Sequence, residues 1–313
     1  MKQILCGSKP LPAMTIGTVQ LGMNYGIANF DGKPSEEKSF AMLRAAFESG
    51  VLSLDTARAY GNSEEVIGAF LKTWEGPMPY ITTKVRRMND PEGDIEAHAI
   101  RSVEESLQRL GVKKVDCILL HNPVDLYQHG PKLEQAMKRL VELGYTDRIG
   151  ISVYTREDVD EMLKYPAYSA TQVPMSIFDQ RLIADGTVER LKERGYTVFV
   201  RSVFLQGVFF LDPDKITDPI LLEHAAPRIR LIREIAAEEG MTVAQLAIAF
   251  MRDTPGVTSL VLGADTPEQV KENVSYFDVP ALAPAVRERL EREFQEVDIP
   301  EIMKVLSRPK PQN

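Results

Sequence analysis

Eight times along this chain a short, β-branched apolar run gives way to a stretch with helical spacing, and that alternation leaves few architectures open. The runs are Ile16–Leu21, Leu52–Thr56, Tyr80–Val85, Val115–Leu120, Arg148–Val153, Thr171–Met175, Thr197–Val203 and Ser259–Leu262; Phe40, Leu43 and Phe47 illustrate the helical spacing after the first. A doubly wound sheet also alternates strands and helices, but no G-x-G-x-x-G follows an early strand here, and eight regular units suit closure. The expectation is an α/β fold, a (β/α)8 barrel of the TIM type with parallel strands, its reactive groups at the C-terminal strand ends. A length of 313 residues fits one such unit. Residues 1–299 are read as a single barrel domain and 300–313, rich in Pro and Lys, as a loosely ordered tail. The segment Gly207–Pro227 reads as a long insertion before the seventh barrel helix.

Helix ends are marked in the sequence. Ser35 precedes Glu36 and Glu37, acids that suit the positive end of a helix dipole. Thr155 with Asp158, Thr242 with Gln245 and Thr266 with Gln269 have capping-box spacing, and Pro267 falls at a first helical position. Gly50, Gly111, Gly144, Gly195 and Gly240 stand where left-handed terminators belong.

Composition narrows the partners. A formal net charge of −8 repels phosphate backbones and anionic lipid, so neither nucleic acid nor a membrane is expected as a partner. No run approaches the ~18 apolar residues of a membrane span, and MKQILCGSKP lacks the apolar core of a signal peptide. Two cysteines make no disulfide framework: Cys117 reads as buried packing, Cys6 as part of a mobile start, and the compartment as the reducing cytoplasm. No His pair or Cys cluster has metal-ligand spacing.

Four residues at strand ends carry chemistry together. Asp55 ends the second barrel strand, Lys84 the third and His121 the fourth, while Tyr60 follows Asp55 by five residues in the loop above the same face. Singly, each has an ordinary reading: a turn or cap for Asp55, a solvated Lys84, a rim-covering Tyr60, a structural His121. As a group they make an acid. A phenol with pKa near 10 is a poor proton donor at neutral pH; a lysine ammonium beside it lowers that pKa, and a buried aspartate keeps the lysine charged. The histidine then orients a carbonyl whose oxygen receives the proton.

The segments 50–64 (GVLSLDTARAYGNSE), 81–84 (ITTK), 119–121 (LLH), 149–152 (IGIS) and 260–273 (LVLGADTPEQVKEN) resemble the aldo-keto reductase family. The likeness runs from about Gly17 to Asn273. It implies that Asp55, Tyr60, Lys84 and His121 are the catalytic tetrad of a barrel that reduces an aldehyde or ketone to the alcohol with NADP(H) or NAD(H). It also implies nucleotide contacts from Gly17, Thr18, Asp55, Ser152, Gln172, Arg201, Ser202, Gly263, Asp265, Gln269, Glu272 and Asn273. Two positions depart from the family pattern: Val153 replaces the usual Asn after Ser152, and Arg201-Ser202 replaces Tyr-Ser. A guanidinium plane can stack on a ring as a tyrosine does; the plainer reading pairs Arg201 with a loop carboxylate. Lys and Arg, common between Gly263 and Gln269 in NADPH-preferring relatives, are missing there, so only modest discrimination between the nucleotides is expected.

For the substrate, a small carbonyl or alcohol, the rim residues argue for polarity. Asn24, Tyr25, Tyr60, His121 and Arg201 are the expected contacts, with Arg86 and Arg87 either on the same rim or simply solvated. That composition suits a sugar-like carbonyl, including an acidic one. Two other functions remain open at this stage: a nicotinamide-nucleotide-binding regulatory subunit with little turnover, and a Schiff-base barrel aldolase using Lys84.

Overall fold

The computed structural model describes residues 2–27, 29, 32–88 and 94–308. It opens with an antiparallel hairpin, β1 (Gln3–Cys6) and β2 (Lys9–Pro12), in which Leu5 faces Pro10. Eight parallel strands follow: β3 (Met14–Gly17), β4 (Ser53–Asp55), β5 (Tyr80–Val85), β6 (Cys117–Leu120), β7 (Arg148–Ser152), β8 (Ala170–Pro174), β9 (Thr197–Arg201) and β10 (Ser259–Leu262). They close in sequence order, β10 pairing with both β9 and β3, so the expected barrel is the observed one.

Apolar contact divides in two. The larger cluster lies between the strands and the surrounding helices. The smaller one fills the barrel from below: Tyr80, Cys117, Leu119, Ala170 and Phe199 meet Cys6 and Leu11 of the hairpin. The hairpin therefore floors the barrel. Lys9 Nζ bonds the Pro79 carbonyl and the Asp116 carboxylate, each at 3.1 Å, and Asp116 also accepts from the Ile81 amide at 2.8 Å. Among the interior side chains, the Thr15 hydroxyl meets those of Ser53 and Ser259, each at 2.8 Å, so these inward polar atoms are satisfied.

Caps stand where the sequence puts them. Ser35 accepts from the Lys38 amide, and the boxes at Thr155/Asp158 and Thr242/Gln245 are complete. At Thr266 half the box forms, because the Gln269 carbonyl oxygen takes the Asp265 amide instead. All five expected glycine terminators have positive φ, from 63° to 83°.

Three expectations need correcting. The first barrel strand is Met14–Gly17, and Val19–Gly22 is a helical turn: Thr18 leaves the strand at ψ 10° with its amide on the Asp55 carbonyl. Cys6 is not in a mobile start; it is buried in the floor, its Sγ 3.2 Å from Thr197 Oγ1. The supposed loose tail is helical over Ile299–Leu306, with Ile299 and Ile302 buried; 309–313 lie outside the described residues.

Candidate active site

Strand periodicity decides what looks into the barrel. Side chains two apart share a face, so the residues that fill the interior also fix which ones emerge above it. Phe199 is interior, so Arg201 points to the mouth; Ala170 does the same for Gln172, Tyr80 for Lys84, and Leu119 for His121. Ser53, in the polar layer, places Asp55 by the same rule.

At the centre is a buried ion pair. Lys84 Nζ donates to both Asp55 oxygens, at 2.7 and 2.8 Å, and to the Thr56 carbonyl at 3.1 Å. Only 1% of Lys84 is exposed. Burial alone would pull its pKa down, but Asp55 and Tyr60 outweigh that and hold it above the usual lysine value. Its ammonium lies 4.9 Å from the centre of the Tyr60 ring, and that ring meets the edge of His121 at 5.5 Å. The four candidate catalytic residues thus stand side by side.

Their electrostatics differ from the expectation in one respect. Burial raises the Tyr60 phenol above its ordinary pKa of 10.0 even though Lys84 lowers it, so the ammonium moderates the shift and does not reverse it. Burial, then the Lys84 and Arg201 charges, push the His121 pKa down to about 3, so the imidazole is neutral at physiological pH.

The loop carrying Tyr60 is held by close backbone packing. A Cβ on Gly22 would collide with the Tyr60 carbonyl oxygen, and one on Gly61, at φ +57°, with the carbonyl of Gly22. Ser63 Oγ donates to the Thr18 carbonyl at 2.9 Å, and Thr18 Oγ1 to the Asp55 carbonyl at 2.9 Å. Buried Glu64 accepts from Thr83 at 2.7 Å, tying the helix after Tyr60 to the strand bearing Lys84.

A cleft of about 560 Å3 opens above these groups. Of the residues expected to contact nucleotide, Gly17, Thr18, Asp55, Gln172, Arg201, Ser202, Gly263, Asp265, Gln269, Glu272 and Asn273 all line it; Ser152 is buried and is not among its walls. Gln172 also has a structural task, donating to Asp55 Oδ1 at 2.8 Å. Of the expected substrate contacts, Tyr25, Tyr60 and Arg201 line the cleft, while His121 stands against the Tyr60 ring and is not among the walls. Asn24 does not: it is exposed, and its carbonyl oxygen accepts from the Lys33 amide at 2.7 Å. Arg86 and Arg87 are exposed and off the cleft, as solvated surface charges. Arg201 has no carboxylate partner among the described residues; its guanidinium stacks over Tyr154 at 4.5 Å.

The sequence reading missed Gln20, Asn29, Gln206 and Phe210 on the cleft wall. Gln206 and Leu205 adopt positive φ beside Gly207, a backbone state their residue types do not announce. Lys33 and Lys38 were missed too; they line a smaller adjoining cavity with Asp265, Lys33 from a loop and Lys38 from the first turn of the helix Glu36–Glu48.

A dinucleotide fits these walls. Gly17 and Gly263 leave the backbone bare where a Cβ would meet Val261 and Gln20 respectively, and the Gln20 carbonyl oxygen is buried with no partner among the described residues. The Pro267–Ser275 helix presents its N-terminus beside Asp265, a helix end of the kind that favours anionic oxygens.

A family model described as "Aldo/keto reductase family" matches residues 13–292. The L-glyceraldehyde 3-phosphate reductase of Escherichia coli K12 is 26% identical, over 88% of this chain and 87% of that protein. A probable voltage-gated potassium channel subunit beta of Oryza sativa subsp. japonica is 24% identical, over 87% of this chain and 92% of that one. The solved structure of a glycerol dehydrogenase from Gluconobacter oxydans superposes with a TM-score of 0.76 at 20% identity, covering 99% of this chain and 98% of the other. No helix among the described residues is long and apolar enough to cross a membrane.

Proposed function

The chain belongs to the aldo/keto reductase family and is an NAD(P)H-dependent oxidoreductase, and on that premise we propose that it reduces a polar, sugar-like aldehyde or ketone to the alcohol, with Tyr60 as proton donor. The observation that carries this reading is the buried Lys84–Asp55 pair set against the Tyr60 ring. A reduced nicotinamide nucleotide held along the Gly17, Gln172, Ser202 and Gly263 walls would supply the hydride for the carbonyl carbon. Tyr60 Oη gives its proton to the carbonyl oxygen, and the phenolate left behind faces the Lys84 ammonium, which Asp55 keeps charged. Neutral His121 orients the same oxygen through a hydrogen bond. Gln172, Ser202, Gly263, Gln269 and Asn273 are the proposed nucleotide contacts, with Gln20 added from the structure. A relative named for reducing a sugar phosphate is consistent with a polar substrate.

The test is nicotinamide oxidation against a panel of aldehydes, ketoses and oxidised sugars. Tyr60→Phe is expected to keep nucleotide binding and lose turnover by roughly 10²–10⁴-fold, the scale of general-acid catalysis. A near-normal kcat in that variant overturns the assignment. Both nucleotides are expected to serve, with kcat/KM values within ~100-fold, about 2.7 kcal/mol. A second reading, a nucleotide-sensing regulatory subunit, is favoured only by the channel-subunit relatives; steady turnover of any simple aldehyde excludes it.

A further inference from the structure

Arg201 is a charge whose protein partners are incomplete. Its guanidinium carbon lies over the Tyr154 ring, 4.5 Å from the ring centre, and its one side-chain hydrogen bond among the described residues, from Nη1 to Ser202 Oγ, is long at 3.5 Å. Nη2 is buried from solvent and has no hydrogen-bond partner among the described residues. An enclosed guanidinium donor left without an acceptor is costly, and sites retain such donors where a ligand completes them. The remaining ionisable groups sharpen the point. Lys84, neutralised by Asp55, and uncharged His121 are not among the cleft walls, and Arg201 is the cationic side chain among the described residues that line it. Its field reaches Tyr25, Tyr60 and His121, so it stands close to where the carbonyl is to be protonated. Tyr25, another of the cleft walls, is pushed up to about 12 by burial and keeps its proton, so it can donate a hydrogen bond into the cleft.

Resting on the reductase reading above, we propose that the substrate carries an anionic group close to its carbonyl, a carboxylate or a phosphate, and that Arg201 and Tyr25 receive it. A neutral sugar hydroxyl satisfies one guanidinium N–H; an anionic oxygen pair satisfies two in a single plane and compensates the buried charge. The contact with the Tyr154 ring steadies the guanidinium before the ligand arrives, and an aromatic face does not compete for its N–H donors.

The experiment compares three aldehydes on the NAD(P)H-loaded protein: glyceraldehyde, glyceraldehyde 3-phosphate and succinic semialdehyde. Wild type is expected to favour one of the two anions over glyceraldehyde, and the favoured one identifies the group as phosphate or carboxylate. Arg201→Gln is expected to raise the KM of that anion at least about 30-fold, the scale of a lost charge-assisted pair, with Arg201→Lys recovering part of it. The KM for glyceraldehyde and the Kd for NAD(P)H, read by fluorescence, are expected to rise at least about tenfold less than the KM of the anion. Equal effects on all three aldehydes, preference for glyceraldehyde, or a loss that falls on the nucleotide Kd overturns the proposal. Calorimetry with inorganic phosphate and with oxalate separates this outcome from failure of the reductase reading. Arg201-dependent heat without any turnover leaves the anion site standing and removes the reaction; no anion heat in wild type removes the site.

Discussion

Lys84 shows what a single enclosed charge demands of its surroundings. With Asp55 also buried, the two are stable only as a pair, and Lys84→Met leaves a carboxylate that only Gln172 still contacts. That variant is expected to lose about 3–5 kcal/mol in denaturant unfolding, and its turnover as the phenol loses the ammonium that moderates its pKa. Asp55→Asn with Lys84→Met is expected to regain much of the stability and none of the turnover; equal stability of the single and double variants contradicts the pairing. These residues were legible beforehand because the chemistry needs particular types at strand ends, and period-two geometry puts them there. Arg201 was legible as a departure from the family pattern, but its contact with Tyr154 was not, since it joins residues 47 positions apart. Asn24 misled for the opposite reason: a polar loop residue looks the same whether it faces a ligand or bonds its own loop.

At the level of elements, the placing of Tyr60 rests on two glycines meeting back to back. Gly22→Ala is expected to cost about 1–3 kcal/mol by overpacking and to lower kcat, because the Tyr60 backbone must move to admit the methyl. Gly144→Ala is the contrast: φ is +77° with open space around it, so a strain of ~1–2 kcal/mol without change in kcat is expected. If both variants lose kcat alike, the contact at Gly22 is not what aims the tyrosine. Seven of the strands announced themselves as short runs because both of their faces are buried in a parallel sheet. The eighth was read two residues late, since Val19 and Leu21 extend the apolar run into a helical turn whose bury-and-pack role comes from Gly22 and the Tyr60 loop. The hairpin stayed hidden because Pro10 and Pro12 read as breakers; a two-stranded edge pairing tolerates them.

Across the whole molecule, the first and last described segments are both structural. The helix Ile299–Leu306 packs against Pro219–His224, and Arg308 pairs with Asp218, the residue that caps that shorter helix. This bracing stands just after the 3-10 turn, Leu205–Phe210, that contributes Gln206, Gly207 and Phe210 to the cleft. Ile302→Ala is expected to lower stability by about 2–5 kcal/mol, measured by denaturant midpoint; a loose tail predicts almost no change. At the other end, the hairpin seals the barrel opposite the cleft, with Lys9 and Asp116 fastening it to the N-terminal ends of β5 and β6. The protein therefore has a handle and an opening on opposite poles. A surface or carrier coupled through residue 2 grips the sealed pole, so every immobilised molecule turns its mouth outward, and nucleotide and substrate both reach it from the free solution.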